Sequence, residues 1–68
     1  MDHITAIAWI RNIKHVAANG DYEGAHSLED DLFEEFVKWI AQTGTNEQRN
    51  VANTVLESKL IDFARECA

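Results

Sequence analysis

A chain of 68 residues that is 46% hydrophobic, with two Trp and three Phe, is too apolar for a solvated tail and long enough for one domain only. Its net charge of −6 argues against nucleic-acid binding, which needs Lys and Arg against phosphates, and against adsorption to anionic membranes. The single cysteine, Cys67, excludes an intramolecular disulfide and a four-cysteine zinc site.

The first predicted element runs from Asp2 or His3 to Ala18. Ala6, Trp9, Ile10, Ile13, Val16 and Ala17 share one face of a helix, while Arg11, Lys14 and His15 lie on the other. Ile4 and Ala8 fall off the main stripe. Asn19-Gly20 is a stop signal, because glycine accepts the left-handed conformation that ends helices.

Asp21 can cap the second helix, and Glu23 suits its first turn. Gly24 weakens that turn by about 1 kcal/mol relative to Ala, so Ser27 is an alternative cap. At 100° per residue, Leu28, Trp39, Leu32, Ala25, Phe36, Ile40, Tyr22 and Phe33 fall within about 140° of arc. Asp30, Asp31, Glu34 and Lys38 face away, with Glu35 at the border. Glu29 falls inside the apolar stripe, and His26 at its edge is its i,i+3 neighbour. The helix ends at Thr43-Gly44.

Thr45-Asn46-Glu47-Gln48 matches a capping box, with Gln48 reaching back to the cap. A third helix follows to about Ser58, with Val51, Ala52, Val55 and Leu56 on its apolar face. In the tail, Leu60, Ile61 and Phe63 call for burial, and Asp62 can cap a last short helix through Cys67. Loops of two to four residues make successive helices antiparallel neighbours. The expected fold is therefore all-α, one domain over residues 1–68. It is a compact antiparallel three-helix bundle with a short C-terminal helix and one core containing Trp9, Ile13, Leu32, Phe36, Val55 and Leu56. Below about 70–80 residues such a core rarely supplies more than about 3–5 kcal/mol, so packing must be efficient or the chain must self-associate. No run of about 18 apolar residues and no basic-then-apolar leader occurs, and the expected location is the cytoplasm.

Two constellations stand out. His26 and Glu29 could share a divalent metal, but no second such pair exists in the chain. The structural alternative makes Glu29 a partly buried carboxylate paired with His26 or Arg65, since a buried charge needs a partner. On that reading His26, Glu29, Asp62 and Arg65 form a polar cluster that ties the tail to the second helix. The other constellation is acidic: residues 21–42 hold seven acids against Lys38 alone. Asp30, Asp31, Glu34 and Glu35 either solvate the helix or dock it on a basic partner. Ser27 diverges from His26 on a helix, Cys67 lies in the tail, and no glycine-rich phosphate loop is present, so no catalysis and no cofactor are expected.

Ala25-His26-Ser27-Leu28-Glu29-Asp30-Asp31-Leu32 and Ile61-Asp62-Phe63-Ala64-Arg65 carry a resemblance. The chain resembles a family of short, acidic, helical proteins of bacteriophages and prophages that has no established biochemical activity. Its members carry an acidic residue before an Ala-His-Ser-x-Glu-Asp-x-Leu block and end in an Asp-Phe-x-Arg-Trp type of C-terminus. Here Glu66 stands where that pattern has Trp. The resemblance implies a phage or prophage setting and supplies no reaction. The leading expectation is a non-catalytic module that binds a host protein with a basic surface through the acidic face of its second helix. The alternative is a self-associating structural protein, a homodimer stabilised by its surplus of apolar side chains. A metal-dependent activity at His26 and Glu29 is a third.

Overall fold

Each helix boundary is set by local chemistry that the computed structural model makes explicit for residues 1–64. The Asp2 carboxylate accepts the Thr5 backbone N–H at 2.7 Å and opens α1, His3–Ala18. That bond to an amide holds the Asp2 carboxyl below its ordinary value. At the other end Gly20 takes a φ of 83°, and the Gly20 and Asp21 amides return to the carbonyls of Ala17 and Val16. This is the Schellman stop, which satisfies carbonyls the helix would otherwise orphan.

Asp21 caps α2, Tyr22–Thr43, by accepting the Gly24 amide at 2.9 Å. The helix thus begins at Tyr22, and Ser27 is interior to it. Gly44 closes α2 in an extended conformation where close approach demands glycine. A Cβ there would lie 2.8 Å from the Ile40 carbonyl oxygen and 2.9 Å from the Gln48 Cβ. The capping box forms as its spacing predicts. Thr45 Oγ1 accepts the Gln48 amide at 3.2 Å, and Gln48 Oε1 accepts the Thr45 amide at 3.0 Å. It opens α3, Asn46–Leu56, which tightens into a 3₁₀ turn over Glu57–Leu60. Asp62 to Ala64 are not helical, and the remainder of the expected C-terminal helix lies outside the described residues.

The three helices are all α as expected, but they do not close into the expected compact bundle. Met1 and Thr5 lie beside Trp39 and Gln42, while the Trp9 indole Nε1–H donates to the Leu28 carbonyl at 3.0 Å. So α1 folds back along α2. Val55 and Leu56 lie beside Phe33 and Val37, so α3 folds back along α2 as well. α1 and α3 do not touch. The Cα atoms span 41 × 33 × 9 Å. A second helix layer would add about 8–10 Å to the roughly 4.6 Å spanned by the Cα atoms of one helix, so a Cα extent of 9 Å means that the described residues form a single layer with α2 in the middle.

This arrangement corrects the expected core. Among the described residues only Ala25, at 9% exposure, and Ala52, at 5%, are buried. Small side chains let the helix axes approach at these two points. Trp9, Ile13, Leu32 and Leu56 are half-buried, whereas Phe36 and Val55 are exposed. The layer has two seams, α1 on α2 and α2 on α3, in place of one core. No third helix caps either seam from above, which is why large side chains stay partly in water.

Candidate functional site

A single layer has two faces, and helical geometry assigns side chains to each. Leu28 meets α1 and Val37 meets α3, and these residues lie about 180° apart around α2. Between them on one side come Phe36, Ile40, Tyr22 and Phe33, with Glu29 among them. On the other side come Asp31, Lys38 and Gln42, with Glu35 beside them. α1 follows the same division. Met1 and Thr5 border the groove that holds Glu35, Lys38 and Gln42, so they belong to the polar face. Ile10 and Ile7 lie about 100° and 160° around α1 from Trp9, away from Thr5, and belong with Phe36. On α3, Val55 borders Phe33 in an open groove of about 260 Å³, and Val51 lies near it in angle.

One face of the layer therefore collects exposed apolar side chains from all three helices. Phe33 is 62% exposed, Phe36 48%, Ile10 42% and Val55 50%. The Phe36 and Trp39 rings lie 6.2 Å apart and tilted by 40°, within the range of favourable aromatic contact. Large exposed apolar patches, unlike apolar residues scattered singly over a surface, call for an explanation.

The acidic block is less uniform than its sequence suggests. Glu34 meets Lys38 at 3.0 Å and Lys59 of the 3₁₀ turn at 3.0 Å. These two lysines hold its carboxyl below the ordinary value, and Glu34 in turn raises that of Lys38. Glu35 approaches Lys38 at 3.6 Å, and Asp30 approaches His26 at 3.4 Å. Asp31 is exposed. Of the four acids expected to bind a partner, Glu34 is thus spent on an internal clasp. Counting charges within α2 alone missed Lys59, which arrives from the end of α3. The signal for it was the length of α3, which carries the chain back to the level of Glu34.

Of the expected polar cluster, His26, Glu29 and Asp62 fall within the described residues. His26 pairs with Asp30, one turn on, and not with Glu29. Glu29 is exposed, because the face that carries it has no helix packed over it. Asp62 is exposed too, and Arg65 lies outside the described residues. The expected burial of Glu29 is therefore corrected, while its expected tie to Arg65 lies outside the described residues. Among the described residues no three His, Cys, Asp or Glu side chains converge as a metal site. No helix among them is long and apolar enough to cross a membrane. Comparison with protein-family models, with curated proteins and with solved structures found no match to this chain.

Proposed function

We propose that the protein is a non-catalytic interaction module whose contact surface is the apolar face formed by Ile7, Ile10, Phe33, Phe36, Ile40 and Val55. The observation that carries this reading is the one-sidedness of the layer. Exposed Ile10, Phe33, Phe36 and Val55, from three helices, stand on one face, and Asp31 and Glu35 stand on the other. A face of this kind is costly in water unless something covers it. Covering the face supplies the second layer that a stable domain needs and that the three helices of one chain do not supply by themselves. The phage or prophage setting implied by the sequence resemblance is part of the proposal.

A second reading uses the polar face. Asp31 and Glu35 remain exposed there and could dock a host protein with a basic surface. A pull-down from lysate of the source cells, run at low and high salt, separates the two. Capture that survives high salt and is lost in Phe36→Asp is the expected result, because apolar contacts are not screened. Capture lost at high salt and in the double variant Asp31→Lys, Glu35→Lys, but kept in Phe36→Asp, would transfer the function to the acidic face.

A further inference from the structure

We propose that the apolar face is covered by a second copy of the same chain, giving a face-to-face two-fold dimer of two helix layers. The inference rests on the reading of that face as the contact surface and adds its occupant.

Three observations favour a second copy. The first is area. The Cα atoms spread over an envelope of 41 × 33 Å in plan, which leaves room for the ~800 Å² per partner that a standard stable interface buries. The second is shape. A layer whose Cα atoms span only 9 Å, with helices side by side, is broad and shallow, so a second copy can lie along all three helices, the Phe33–Val55 groove included. The third is charge. A two-fold interface sets each residue against its symmetry partners, so a face of one sign repels itself. This face carries both signs: Glu29 sits among the α2 aromatics, and Lys14 borders Ile7 and Ile10 with His3 and Arg11 at the α1 edge. Asp31 and Glu35 point away from it. The dimer thus covers Phe33, Phe36 and Ile10 while both acidic faces remain outside in water.

Each layer then becomes the second layer of the other. Among the described residues of the isolated chain two alanines are buried, and Phe33 and Phe36, expected on the core-facing stripe, stand at the surface. Stacking two copies turns that surface into an interior.

Sedimentation equilibrium of the full chain at micromolar concentration tests the proposal, with helicity followed by circular dichroism. The expected result is a species of twice the 7.7 kDa chain mass. Phe36→Asp should raise the dissociation constant by roughly thirtyfold or more, as loss of an interface hot spot does. Ile10→Asp, on a different helix of the same face, should weaken association too, so the test does not rest on one variant that fails to fold. Gln42→Asp on the opposite face should leave association unchanged. A helical monomer at high micromolar concentration would overturn the second copy as occupant. It would leave the contact-surface reading standing unless lysate capture also survived Phe36→Asp. A dimer broken by Gln42→Asp and indifferent to Phe36→Asp and Ile10→Asp would place the interface on the wrong face and overturn both.

Discussion

Trp9 joins packing and polarity at the α1–α2 seam. Its ring is half-buried, and its indole N–H finds the Leu28 carbonyl inside α2. A buried indole usually needs such a partner. Leu28 sits within a helix, so its carbonyl also has an intrahelical donor. Trp9→Phe removes the donor without orphaning the acceptor, and it keeps most of the apolar contact. The expected loss is about 0.5–1.5 kcal/mol by urea denaturation, near the net worth of one hydrogen bond. A loss several times larger would mean that ring size, not the N–H, holds the seam. Glu34 is the other residue with a defined partner set. A carboxyl held low by two lysines adds stability above the ordinary glutamate value and loses it as pH falls through the lowered one. Thermal melts should therefore show a contribution present above about pH 4.5 and fading below it. Glu34→Gln should remove that part of the acid dependence. An unchanged profile in the variant would show that neither Lys38 nor Lys59 holds Glu34 in solution.

At the scale of elements the turns do the specifying. The Schellman stop at Gly20 and the capping box at Thr45 were both legible in the sequence, because each rests on contacts within six residues. Thr45→Ala removes the oxygen that accepts the Gln48 amide and leaves in place the bond from the backbone amide at position 45 to Gln48 Oε1. It should cost about 1 kcal/mol, the usual worth of an N-cap, and amide exchange should quicken first in α3. α3 is the weakest element, with 11 residues, below the ~12–15 at which isolated helices become even marginal. Uniform quickening along the whole chain would show instead that the three helices open as one unit. What the sequence left open also has a local cause. Whether α2 begins at Tyr22 or Ser27 depended on Gly24, and the Asp21 carboxylate settles it by holding the Gly24 amide.

The arrangement of the three helices was not legible, for a reason that belongs to the whole molecule. Short loops fix only that neighbours fold back. They do not fix whether α3 leaves α2 on the side of α1 or on the far side. The wide apolar arc of α2 allowed both, and Phe36 and Glu29 were read as buried because a closed bundle would bury that arc. In the open layer both stand on the uncovered face. If a second copy covers it, the charge of the chain makes a further demand. Each copy carries a net −6, and the acids Asp31 and Glu35 end on the two outer surfaces. Two helix layers stacked at the usual interaxial distance of about 8–10 Å place those surfaces roughly 20 Å apart. At 0.01 M salt the Debye length is about 30 Å, so the surfaces repel through the dimer; at 0.15 M it is about 8 Å, and the repulsion is screened. Self-association should therefore tighten as salt rises, measured as a falling dissociation constant by sedimentation. Docking of Asp31 and Glu35 on a basic surface has the opposite sign and weakens with salt. Weakening of the dimer on going from low to physiological salt would mean that ion pairs, and not Phe33, Phe36 and Ile10, hold the two copies together.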